Sequence, residues 1–169
     1  MSPAKRTYLG LFLVSLATLM YEILLTRIFS VTMWYHFAFF AISLAMFGAS
    51  AGALAVYLFP SRFPAESTPR HLALAALLFA AAIVVSFVLH LRIPFRIENS
   101  WERFASIALT YAVTSVPFFF SGVCVCLALT RFPLQVSRLY AADLAGAAVG
   151  CILLGYTIGF TDGPGTVLV

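Results

Sequence analysis

Charge is what this chain of 169 residues has least of: Asp, Glu, Lys and Arg together make 9% of it, against about a quarter in an average soluble domain. With 63% hydrophobic residues and a mean hydropathy of +1.03, that scarcity excludes an ordinary soluble globular protein. Cysteine is nearly absent as well. Cys124, Cys126 and Cys151 form no C-x-x-C pair and no haem-attachment sequence, and the first two point to nearly opposite sides of a helix. They read as small buried apolar residues, not as a metal or redox set. The sequence also lacks a G-x-S-x-G elbow, an H-E-x-x-H pair, a P-loop and a G-x-G-x-x-G turn, so no catalytic set is complete and the chain reads as non-catalytic. No nucleic-acid module is visible, and nothing calls for a cofactor.

What the sequence has in abundance is long apolar runs. A helix needs about 20 such residues to cross roughly 30 Å of hydrocarbon, and five spans meet this: 9–31, 33–59, 71–90, 105–130 and 140–160. Unpaired backbone groups are costly in lipid, so the spans are expected to be α-helices and the fold an all-α integral membrane bundle. The breaks at 60–70, 91–104 and 131–139 are short, which makes the chain a single domain whose successive helices are antiparallel neighbours. A leader is a weaker reading of Lys5, Arg6 and the apolar run after them, because the run continues to Val31. After the turn signal at 161–165, Thr166 to Val169 read as the opening of a further apolar segment, so the sequence is expected to be truncated before a sixth span.

The net charge of +4 lies mostly in arginines between the spans. Lys5, Arg6, Arg62, Arg70, Arg131 and Arg138 fall at one end of the spans and Arg27, Arg92, Arg96 and Arg103 at the other, which favours a cytoplasmic N-terminus. The 91–104 break interleaves aromatic residues with charge and reads as a short interfacial helix anchored by Trp101 and Phe104.

Polar groups inside the spans carry the functional candidates. Glu22 and Arg27 both lie in the first apolar run, where a charge costs roughly 2.5–3.5 kcal/mol on insertion scales. They are five residues apart, about 140° around a helix, so they are not expected to pair with each other. Arg27 can reach the interface. Glu22 needs another partner, and the candidates are His36, the hydroxyls of Thr110, Tyr111, Thr114 and Ser115, a residue of another subunit, or its own proton. Asp143 sits in the opening turn of the fifth span, where an acid complements the positive helix end; a substrate contact is the alternative. Pro117 is expected to kink the fourth span. His36 and His90, at the same end, have the chemistry to ligate a haem or pigment, with no other feature in support.

Pairs four residues apart, Gly48 and Gly52, Gly146 and Gly150, Gly155 and Gly159, mark helix faces where backbones can approach closely. These faces are expected to be contact seams, within the chain or with other membrane subunits.

Three stretches, LATLMYEILLTRIFS at 16–30, VPFFFSGVCVCLAL at 116–129 and SRLYAADLAGAAVGCILLG at 137–155, resemble the membrane domain that precedes the catalytic domain in membrane-fused spermidine/spermine synthase-like proteins of bacteria. Tyr21, Glu22, Thr26 and Arg27, with Tyr140, Asp143, Gly146, Ala147 and Gly150, carry most of the likeness. In that family aminopropyl transfer belongs to a soluble Rossmann-like domain, which this sequence lacks. The resemblance implies a bacterial inner-membrane location and a membrane part that anchors, handles polyamine or assembles with partners. Three functions follow as expectations: a scaffold or accessory subunit packed against other membrane subunits, a binding or transport domain for a small cation such as a polyamine, and the membrane part of an aminopropyltransferase-like enzyme. The first leads.

Overall fold

The computed structural model describes the backbone of residues 5–32, 38–92 and 100–160, and their side chains except at 32, 38, 100–103 and 158–160. Five α-helices account for nearly all of it: α1 Lys5–Thr32, α2 Ala38–Leu58, α3 Thr68–Arg92, α4 Ser100–Arg131 and α5 Val136–Phe160. Each is long and apolar enough to cross a membrane, and no strand occurs among the described residues. The fold is an all-α membrane bundle.

Helix ends depart from the hydropathy reading where proline decides them. The 3-10 turn Pro133–Gln135 has proline at its first positions and runs straight into α5, which therefore begins at Val136 instead of Tyr140. The interfacial helix expected over 91–104 is not a separate element. Its first two residues end α3, its last five begin α4, and residues 93–99 lie outside the described residues. Phe104 is exposed near the start of α4; the side chain of Trp101 lies outside the described residues. Pro117 is fully buried and α4 continues through it as one helix. Neighbouring helices make such a proline tolerable at membrane depth.

Short connections do not make all successive helices neighbours. The link at 59–67 joins α2 to α3, yet those two scarcely meet; both pack on α4 instead. At the end of α4, Arg131 Nη2 donates to the Phe63 carbonyl at 2.6 Å and ties the link down. The closest approaches are between parallel helices. A Cβ added at Gly48 would lie 2.6 Å from the Ser115 carbonyl oxygen, one at Gly52 2.1 Å from that of Phe119, and one at Gly122 2.2 Å from that of Ala49. This is one seam, α2 against α4. The other joins α5 to α1, where a Cβ at Gly146 would lie 2.2 Å from the Phe12 carbonyl oxygen and one at Gly150 2.7 Å from that of Leu16.

Apolar side chains fill the space between the seams in three layers along the axis. Leu11, Ala128, Phe132 and Leu139 close the end that holds the N-terminus. Val14, Phe79, Val123 and Leu127 form the middle, and Tyr21, Leu25, Phe29 and Phe118 the far layer.

At Gly52 the obstructing atom is backbone, so Gly52→Ala must push α2 off α4. We expect a loss of about 1–3 kcal/mol, as for other overpacked cores, which lowers the melting temperature of the detergent-solubilised chain by about 2–4 °C per kcal/mol. Gly155→Ala meets nothing within 4 Å and should not lower it. Equal melting temperatures for wild type and Gly52→Ala would refute the seam.

Candidate functional site

Four hydroxyls of α1 reach in turn the 3-10 turn before α5, α5 itself, α4 and α3. Tyr8 donates to Gln135 Oε1, and Ser15 donates to Asp143 Oδ1. Thr18 Oγ1 lies 2.7 Å from the Val14 carbonyl of its own helix and 2.6 Å from Ser121 Oγ on α4. Its single proton goes to the carbonyl, so Ser121 is the donor between the two hydroxyls. Tyr21 and Ser86 on α3 are both buried, with their oxygens 2.9 Å apart; Ser86 also faces the Ile83 carbonyl at 3.3 Å, so Tyr21 donates to Ser86. Positions 8, 15, 18 and 21 drift about 140° around α1 in total, which is why the stripe meets α5, then α4, then α3.

A groove of about 580 Å³ opens beside this stripe, walled by α1, α2, α4 and α5. It opens where the two seam-bound pairs meet less closely than the helices within each pair: α1 packs on α2 and α4, but α5 meets α4 only sparsely. Asp143 lines the groove, with Ser15, Thr18, Ser50, Ser121 and Thr130 around it. Because α5 starts at Val136, Asp143 lies about 10 Å of helical rise inside the helix. The first turn of α5 holds no acid, so the capping role expected for Asp143 is corrected. Among the described residues Ser15 is the one hydrogen-bond donor to it. A half-buried carboxylate with one donor has acceptor capacity to spare, since each oxygen can accept about two bonds.

The other intramembrane candidates do not join this site. Glu22 is half-buried in the opposite half of α1 and has no hydrogen-bond or ion-pair partner among the described residues. Of the hydroxyls offered for it, none is hydrogen-bonded to it among the described residues: Ser115 donates to the Ala112 carbonyl at 2.9 Å, and the Tyr111 ring stacks on Phe40 at 5.2 Å while its hydroxyl is buried without a hydrogen-bond partner among the described residues. Arg27 is exposed and does not pair with Glu22. His36 lies outside the described residues. The His90 ring packs 5.3 Å from Phe29, and no group of three or more His, Cys, Asp or Glu occurs among the described residues.

Of the paired glycines, Gly48, Gly52, Gly146 and Gly150 lie in seams inside the chain. Gly155 does not. It is nine residues beyond Gly146, about 180° around the helix, and shares the outer part of α5 with the exposed Ile152 and Tyr156. The surroundings of Gly159 lie outside the described residues. Sequence reading missed Ser15, Thr18, Ser86 and Ser121, because a serine or threonine in an apolar helix commonly bonds its own backbone, as Thr26 and Ser30 do here.

No family model, curated protein or solved structure matches this chain.

The Tyr21–Ser86 bond is testable apart from any ligand. A double-mutant cycle with Tyr21→Phe and Ser86→Ala should give a coupling of about 0.6 kcal/mol, the average for interhelical hydrogen bonds in membrane bundles. Strictly additive effects on unfolding would show that the two hydroxyls do not act together.

Proposed function

We propose that this chain is a membrane-embedded binding domain for a small organic cation, an alkylammonium of the polyamine type, held at Asp143. The observation that supports it is a carboxylate set well inside a membrane helix, lining an open groove and answered by one hydroxyl. An unpaired Asp at such depth costs a few kcal/mol, so a cation that neutralises it gains where the protein alone does not. An ammonium group has three donors. The spare acceptor sites of Asp143 and the oxygens of Thr18 and Ser121 can take them, while an alkyl chain lies along Ala49, Ala53 and Leu129.

Six basic residues at this end against four at the other support a reading in which it faces the cytoplasm, and the family resemblance supports a bacterial inner membrane. The groove would then receive a cytoplasmic cation. The same site would serve an aminopropyltransferase-like protein as its polyamine-handling membrane part. The scaffold reading rests on the outward apolar faces of α2 and α5, because four of the paired glycines are used within the chain.

Equilibrium dialysis of spermidine against the full chain in detergent tests this. Loss of one charge-assisted contact is worth about 1.5–3 kcal/mol, so Asp143→Asn should weaken binding by roughly ten- to a hundredfold. Glu22→Gln, outside the groove, should leave it unchanged. Absence of saturable binding by wild type, with stoichiometric membrane subunits purifying alongside it, would replace this reading with the scaffold.

A further inference from the structure

A second cavity, of about 390 Å³, lies on the other side of α4, between α1 and α3. Its walls are apolar, with Leu11, Val14 and Leu72 among small residues: Gly10 on α1, Ala73 and Ala76 on α3, Cys124 and Ala128 on α4. Gly10 differs from the seam glycines, since a Cβ there meets nothing within 4 Å. It leaves room instead of letting backbones touch, and α1 and α3 make few contacts with each other. The cavity is polar only at its rim, where Arg6 and Thr7 line it. Arg6 is exposed and has no hydrogen-bond or ion-pair partner among the described residues. From Arg6 to Val14 the cleft follows α1 for about 12 Å, close to the depth of one leaflet, half of a hydrocarbon core roughly 30 Å thick.

We propose that this cleft is a binding site for one anionic glycerophospholipid of the surrounding leaflet, an acyl chain lying between α1 and α3 and the phosphate held by Arg6. Charge selects this occupant. Arg6 stands beside Lys5, and Arg70 adjoins the wall residue Pro69 at the same end, so the rim is basic. A guanidinium binds phosphate with two parallel hydrogen bonds, the Thr7 hydroxyl can add a third, and basic pockets between membrane helices suit anionic headgroups. A zwitterionic lipid would bring its own cation against Arg6. The site shares no lining residue with the Asp143 groove and does not depend on the cation reading.

Native mass spectrometry of the full chain in detergent, titrated with phosphatidylglycerol or with phosphatidylcholine of the same acyl chains, tests the proposal. Wild type should retain one phosphatidylglycerol per chain at several-fold higher occupancy than phosphatidylcholine. Arg6→Gln should reduce phosphatidylglycerol to the phosphatidylcholine level, whereas Arg27→Gln, exposed toward the other end of α1 and outside the lining, should not. Gly10→Leu fills the cleft and should abolish retention of both lipids; Ala73→Leu fills it from the other wall should Gly10→Leu not fold. Equal retention of the two lipids by wild type would overturn the proposal. So would Arg6→Gln holding phosphatidylglycerol as wild type does, or undiminished retention by a folded cleft-filling variant.

Discussion

Two backbone-to-backbone contacts, α2 on α4 and α5 on α1, set the spacing of everything else in this bundle. Between helices in lipid there is little hydrophobic gain to be had, because a leucine is as apolar against a lipid tail as against another leucine. Close dispersion contact has to supply the attraction, and it is strongest where no Cβ intervenes. At Gly52, Gly122 and Gly146 the space for a Cβ is already occupied by a carbonyl of the facing helix. Each seam fixes one parallel pair. What lies between the pairs is a remainder, and the Asp143 groove is part of it.

The remainder is bridged by hydroxyls. Thr18 reaches Ser121 on α4 and Tyr21 reaches Ser86 on α3, so α1, already locked to α5, is pinned to the other helices at two heights. These bonds satisfy polar groups that lipid could not, and each joins elements distant in sequence. Asp143 and Glu22 show the same chemistry with different outcomes. Both are single acids within apolar helices; Asp143 meets a serine and an open groove, whereas Glu22 meets no partner among the described residues. The difference comes from register. The contacts of Gly146 with Phe12 and of Gly150 with Leu16 fix α5 against α1 with Asp143 within reach of Ser15.

Hydropathy made the five spans legible because lipid imposes the same demand at every position along a run. It says nothing about which helix meets which. The four-residue spacing of Gly48 and Gly52 marks a face of α2 for close contact but does not name its partner; that α4 and not α3 fills the role depends on single residues such as Gly122, which meets Ala49 and has no spaced partner of its own. The failure at Gly155 was legible in principle: its nine-residue offset from Gly146 turns it to the opposite side of α5, and a local four-residue spacing hid that. The role of Asp143 could not be read, since it depended on where α5 begins, and apolar runs define their ends poorly. The hydroxyl stripe on α1 was invisible because serine and threonine have a local alternative in their own helix backbone.

The two cavities have α1 and α4 as common walls. On α4, Cys124 and Ala128 face one, while Val125, Cys126 and Leu129 face the other. The hydrogen bond between Thr18 and Ser121 ties α1 to α4 in the wall of the acidic groove, four residues beyond Val14 at the inner end of the apolar cleft. Neither cavity can widen by moving α1 away from α4 without breaking that bond. The chemistry then divides between them. One offers a base at an apolar mouth and the other an acid among hydroxyls, so the same end of the bundle presents opposite charges to the bilayer on opposite sides of a single helix.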